Sequence, residues 1–134
     1  MKKVLVDSSV WINYFKGKES VSILGQLIDN NLICINELIL AEILPFLGQK
    51  RETHLIGLLR SVEIKPLHID WEEIVKFQKL NLAEGINKVG IPDLIIVQNV
   101  RDYGCALFTV DKHFELMGKV IEFQRFKASS AGLR

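Results

Sequence analysis

The sequence predicts an α/β fold, a parallel sheet in a three-layer α/β/α sandwich. Three observations carry that expectation. Val4–Val6, Leu32–Ile35 and Leu107–Val110 are short, continuous apolar runs, the pattern of strands buried on both faces. Between them lie stretches whose apolar residues recur at helical spacing, so strands and helices alternate as in sheets built with right-handed crossovers. Two of the runs end directly on an aspartate, Asp7 and Asp111, at the carboxyl ends of strands, where such sheets bind ligands.

Val4–Val6 is the first strand. Asp7, Ser8 and Ser9 offer capping oxygens to a short helix from about Ser9 to Phe15, stopped by Gly17. Ser20 caps a second helix with Val21, Leu24, Leu27 and Ile28 on one stripe, ending near Asn30 and Asn31. Leu32–Ile35 is the next strand, and Asn36 starts a helix that runs to Leu47 and closes at Gly48. A helix from about Arg51 to Arg60 turns Leu55, Leu58 and Leu59 inward, and Val62–Pro66 forms a poorer strand. Asp70 caps a long helix that carries Ile74, Phe77, Leu80 and Leu82 inward, and Gly85–Gly90 is a loop bracketed by glycines. Pro92 suits the first turn of a helix that ends at Tyr103 before Gly104. Cys105–Val110, a brief helix over Asp111–Leu116 and a last strand over Val120–Phe123 complete one domain, residues 1–127. Residues 128–134, small and polar, read as a frayed tail or an expression remnant.

Composition narrows the function. The 134 residues fit a single domain with a substantial core, and 49% apolar against 25% charged residues is a globular, soluble balance. Lys and Arg number 17 against 16 Asp and Glu, so attraction to a polyanion needs a local basic patch or a metal. Cys34 and Cys105 each sit in a strand-like apolar run and read as reduced, buried thiols. Met-Lys-Lys and three apolar residues before Asp7 are too short for a secretory signal, and the longest apolar tract, Leu38–Leu47, is interrupted by Glu42 and Pro45. A reducing cytoplasm and no membrane contact are the expectation.

Four acids stand out. Asp7, Asp93 and Asp111 could each serve merely as a helix-terminal carboxylate. Glu42 is harder to dismiss, being the only charge in "LILAEILPFL"; burying an unpaired carboxylate costs several kcal/mol even after relaxation. If the four converge, repulsion of about 4 kcal/mol per close pair at an effective dielectric near 20 demands protonation or a cation. Hard oxygen ligands point to Mg²⁺ or Mn²⁺ and not zinc. His54, His68 and His113 are far apart in sequence; only His113, two residues after Asp111, falls beside a candidate.

At these residues the chain resembles the PIN-domain family, most closely its small stand-alone members, the VapC toxins. "LVDSSVWINYFKG" resembles the family's opening stretch, "NELILAEIL" its glutamate helix, "IPDLIIVQNVRDYG" its aspartate-initiated helix and "LFTVDKHF" its strand ending Thr-x-Asp. The resemblance spans essentially the whole chain and places the family's metal-site acids on Asp7, Glu42, Asp93 and Asp111, with Ser8 and Thr109 as polar supports. Asn13, Asn36 and His113 depart from the family pattern, the first and last where relatives often carry acids.

The resemblance implies a Mg²⁺- or Mn²⁺-dependent endoribonuclease, a homodimer silenced as a toxin by a cognate antitoxin. Lys16, Lys18, Lys88 and Lys112 are candidate RNA contacts, and Trp11, Tyr14, Phe15 and Phe46 a candidate antitoxin surface. A housekeeping RNA-processing PIN nuclease is the alternative within the family, and a non-catalytic α/β interaction domain, receiver-like or otherwise, the alternative outside it. A haloacid-dehalogenase-like phosphatase wants an acid two residues after the first, where Ser9 stands; a receiver wants paired acids at the first strand's end, where "LVDSS" offers one.

Overall fold

The computed structural model describes residues 2–17 and 22–127; Lys18, the Ser20 cap with Val21, and the tail from residue 128 lie outside the described residues. Strands β1 (Val4–Val6), β2 (Ile33–Ile35), β3 (Glu63–Ile64) and β4 (Ala106–Phe108) form one parallel sheet in the order β3-β2-β1-β4. Leu5 stands opposite both Cys34 and Leu107. β1, β2 and β4 are buried along their whole length, as their continuous apolar runs require, and β3 is an exposed edge. The chain winds from β1 to β3 on one side and places β4 on the other side of β1. The order therefore reverses between β1 and β4, the point at whose carboxyl ends such sheets form a ligand-binding crevice.

Seven helices flank the sheet among the described residues: α1 (Ser8–Phe15), α2 (Ser22–Asp29), α3 (Glu37–Gln49), α4 (Thr53–Ser61), α5 (Trp71–Ala83), α6 (Ile91–Tyr103) and α7 (Lys112–Met117). Their ends follow local chemistry. Asn36 accepts the Ile39 N–H at 2.8 Å and Asp70 the Glu73 N–H at 3.2 Å, the two side-chain caps the sequence offers most plainly. Gly104 ends α6 in the left-handed region at φ 63°, which favours glycine. α3 runs one residue beyond Gly48, and the chain breaks instead at Arg51, whose φ is 59°.

α6 is the central helix, buried continuously from Leu94 to Val100, including Gln98 and Asn99. Its polar groups are paired with neighbouring elements. Gln98 Nε2 donates to Asp70 O and Glu73 Oε1 while its Oε1 accepts the Asp70 N–H, clamping the start of α5. Asn36 Nδ2 donates to Asn99 Oδ1 at 3.0 Å, and Asn99 Nδ2 donates to Pro66 O at 3.0 Å. This relay joins the start of α3 to α6, the two helices that carry Glu42 and Asp93. Asn99→Ala leaves the fully buried Asn36 amide without its acceptor, at an expected cost of about 1–3 kcal/mol. An unchanged urea midpoint for that variant would show that the relay contributes nothing.

Two sequence expectations fail. Val120–Phe123 is not a strand; the C-terminal segment touches the sheet through a single bridge from Arg125 to Leu107, whose N–H donates to Gln124 O while its carbonyl accepts the Phe126 N–H. Leu80 and Leu82 face outward, 47% and 56% exposed, because Ile74, Phe77 and Asn81 occupy the buried stripe of α5. Cys34 and Cys105 are buried free thiols, as expected, with sulfurs 3.8 Å apart.

Candidate active site

Asp7 follows β1 at the crevice and is only 4% exposed. It occupies the N-cap position of α1 without making a side-chain cap bond, so helix capping does not account for it. Its Oδ2 accepts the Ser9 hydroxyl at 2.7 Å and the Thr109 hydroxyl at 2.9 Å. Each hydroxyl also accepts a backbone N–H, Ser9 from Val110 at 3.2 Å and Thr109 from Asp111 at 3.0 Å. The single proton of each hydroxyl is thereby committed to Asp7. Two of these four bonds, from Thr109 to Asp7 and from Val110 to Ser9, join the turn after β1 to the turn after β4. Asp7 Oδ1 accepts no hydrogen bond among the described residues.

Asp93 enters from the first turn of α6, behind the Gly90 N-cap, and is half-buried. Its carboxyl pKa is raised, first by burial and then by the charges of Asp111 and Asp7; His113 and a Gly90 backbone hydrogen bond pull the other way. The loop that delivers it is held by Gln78 of α5, whose Nε2 donates to Val89 O at 2.9 Å. Asp111 does cap its helix, accepting the His113 N–H at 2.9 Å, so here a structural task and a place in the site coexist.

Glu42 corrects an expectation. It is exposed, because Ala41, Glu42 and Pro45 together form an outer face of α3 that the apolar run disguised. It is nevertheless not isolated. Partial desolvation raises its pKa most, Asp7 and Asp93 raise it further, and the Ser8 hydroxyl opposes them. Two acids with raised pKa values, each naming Asp7 among the causes, describe one electrostatically coupled carboxylate group. Asp93 is also coupled to Asp111, and among the described residues Asp93, Asp111 and His113 are the group whose donor atoms lie within 4.8 Å of one another.

Two participants were not assigned from sequence. Ser9, read only as a cap, holds Asp7, while Ser8 faces Glu42; which of two adjacent serines faces which acid depends on the phase of the first helical turn. His113 sits with its Nδ1 near both Asp93 and Asp111, and its two-residue spacing from Asp111 was the available signal. Of the candidate basic contacts, Lys16, Lys88 and Lys112 are exposed. Lys88 lines a hollow with His113, and Lys112 lines another with Asp111, Arg125 and Lys127. Trp11 is completely buried and cannot be a surface anchor, whereas Phe15 and Phe46 line a surface hollow with Lys16 and Lys50. No described helix is long and apolar enough to cross a membrane.

The fold has solved counterparts. The chain is similar to VapBC from Salmonella typhimurium, solved bound to DNA, with TM-score 0.72 and 17% identity over 95% of this chain and 98% of that one. VapBC2 from Rickettsia felis, bound to a promoter DNA fragment, gives TM-score 0.72 and 17% identity, covering 94% and 98%. VapBC-1 from nontypeable Haemophilus influenzae gives 0.67 and 16%, covering 92% and 96%. A search of curated protein sequences finds no match. The family model described as "PIN domain" matches residues 4–120, nearly the whole of the sheet and its helices, and the chain belongs to the PIN domain family.

Proposed function

We propose that this PIN domain is a divalent-metal-dependent endoribonuclease, the toxin of a toxin–antitoxin pair. The observation that supports the reading is the coupling of Glu42 and Asp93 to Asp7, and of Asp93 to Asp111, with Asp7 Oδ1 accepting no hydrogen bond among the described residues. Such a group resists ionisation by itself, and its hard oxygen donors fit Mg²⁺ or Mn²⁺. When bound, a divalent ion supplies charge neutralisation at the phosphate and a more acidic water.

The protein's own residues do the rest. Asp7, Glu42 and Asp93 hold the ion, directly or through water. Ser9 and Thr109 fix Asp7 so that Oδ1 is the oxygen offered to it. Asp111, anchored by its own cap bond, orients the attacking water or completes the coordination of a divalent ion. Water adds to phosphorus in line with the departing 3′ oxygen, the P–O3′ bond breaks, and a 5′-phosphate and a 3′-hydroxyl remain. Lys112, Arg125 and Lys127 around one side of Asp111, and Lys88 on the other, offer the phosphate backbone a local positive border that the near-zero net charge conceals. Lys16 stands with Lys50 beside Phe15 and Phe46, a surface suited to an antitoxin segment with apolar and acidic side chains. The outward Trp71, Val75 and Leu82 of α5 give a second copy of the chain apolar area to cover.

Mapping the ends of total RNA after brief induction tests the activity. Purified wild-type protein is expected to cleave RNA only with added Mg²⁺ or Mn²⁺, leaving 5′-phosphate ends that Asp93→Asn does not produce. Cleavage that survives both EDTA and the substitution would reject the mechanism.

A further inference from the structure

We infer that His113 is itself a ligand of the bound ion, with Asp93 and Asp111, and tilts the site toward Mn²⁺ and away from Mg²⁺, an inference that rests on the metal-dependent reading above. Its Nδ1 lies 3.5 Å from Asp111 Oδ1 and 3.8 Å from Asp93 Oδ2. One donor atom from each of the three residues lies within 4.8 Å of the others. Both carboxylate distances exceed hydrogen-bond length, so the ring is directed between two acids that it does not bond. In an octahedral shell with bonds of about 2.1 Å, adjacent ligand atoms stand about 3 Å apart and opposite ones about 4.2 Å apart. The two separations from His113 Nδ1 fall between those limits.

The placement is built by the fold. Asp111 accepts the His113 N–H at 2.9 Å, which fixes the first turn of α7 and holds the ring at the mouth of the crevice, facing the start of α6. Asp93 in turn is set by the loop that Gln78 pins. An acid at this position would give an all-oxygen set suited to Mg²⁺. An imidazole is a poor partner for that ion but adds affinity for first-row transition ions. Mn²⁺ shares the preference of Mg²⁺ for carboxylate oxygen, so a set of several carboxylates and one imidazole favours it over Mg²⁺.

The test uses the whole chain and Mn²⁺ alone, read by pulsed electron paramagnetic resonance and by titration calorimetry against Mg²⁺. The wild-type spectrum is expected to carry the nitrogen hyperfine modulation of a directly bound imidazole, and His113→Ala to lose it together with about tenfold or more in Mn²⁺ affinity. His113→Asp should shift the Mn²⁺-to-Mg²⁺ preference toward Mg²⁺ by a similar factor. His113 is partly exposed, and the wild-type spectrum alone decides the point if a variant folds poorly. Mn²⁺ bound without a coordinated nitrogen, or an unaltered preference in His113→Asp, overturns the role of His113 and leaves the nuclease reading standing. Failure to bind either ion at millimolar concentration overturns both.

Discussion

Asp7→Asn is expected to lower RNA cleavage by about 10³-fold, the scale on which removal of one electrostatic element that stabilises developing charge is felt. The same substitution should also change how the metal-free protein responds to pH. Glu42 and Asp93 have folded-state pKa values raised above their ordinary 4.5 and 3.8, and Asp7 is a cause of both shifts. A carboxyl whose pKa is raised by folding holds its proton longer in the folded state than in the unfolded one. Its contribution to stability is complete below the unfolded value and is lost as pH climbs from there through the folded value. Without metal, wild-type stability should therefore decline as pH rises above about 4, and a divalent ion should restore it more strongly at pH 7 than at pH 5.

In Asp7→Asn part of the repulsion is gone, so the decline should be shallower and the rescue by metal weaker. Absolute stability is a poorer indicator, because the variant also exchanges two charge-assisted hydrogen bonds from Ser9 and Thr109 for neutral ones. The slope separates the two effects. Asp102 contributes a decline of the same sign and Glu63, its pKa lowered by Lys65, a rise, but Asp7 is a cause of neither shift and both cancel in the comparison. Thermal melts at several pH values with EDTA and with Mn²⁺ provide the measurement. A variant that still cleaves, or whose metal-free stability falls as steeply as the wild type's, would contradict a shared carboxylate group.

The parts of this site that were legible in the sequence are those that local chemistry determines. A buried strand ending on a carboxylate places Asp7 and Asp111 at the sheet's carboxyl ends whatever the rest of the chain does. Pro92 and Gly104 bound the helix that presents Asp93. The inference from Glu42 assumed a helix apolar nearly all round, whereas α3 has an exposed face; partial desolvation still raises the Glu42 pKa most, and the charges of Asp7 and Asp93 add to it. What stayed hidden depends on distant partners. The Asn36–Asn99 bond joins residues 63 apart, and nothing around either amide announces the other. The run "VIEF" satisfies a strand pattern, yet Ile121 is buried beside α7 while pairing with β4 waits until Gln124 and Phe126 and forms a single bridge. Apolar periodicity reports which side chains go inward; it does not report whether a neighbouring backbone is within reach of a ladder.

Trp11→Ala is the substitution expected to cost most in folding, about 3–5 kcal/mol. Trp11 is fully buried on α1, with its ring stacked near Phe15 at 6.2 Å between centroids and meeting Tyr14 edge-on at 6.3 Å. α1 packs against α3, so this cluster joins the helix that follows Asp7 to the helix that carries Glu42. Removal of the indole opens a cavity in the core beside α1, and a domain of this size has only about 5–15 kcal/mol of total stability from which to absorb the loss. Trp11→Phe should behave differently. The indole Nε1 is buried without a hydrogen-bond partner among the described residues, a defect worth about 1–3 kcal/mol that phenylalanine removes while keeping most of the ring. The smaller cavity and the relieved N–H should nearly offset each other, leaving a loss of about 1 kcal/mol or less. Urea titrations of the two variants decide it: a small loss for Trp11→Ala would mean the cluster collapses around the void. A loss for Trp11→Phe as large as for Trp11→Ala would mean the indole nitrogen has a partner after all. The contrast bears on partner mapping, because Trp11→Ala would weaken any complex simply by unfolding the protein, and the surface-lining Phe15 and Phe46 are the residues that can report on docking at that hollow.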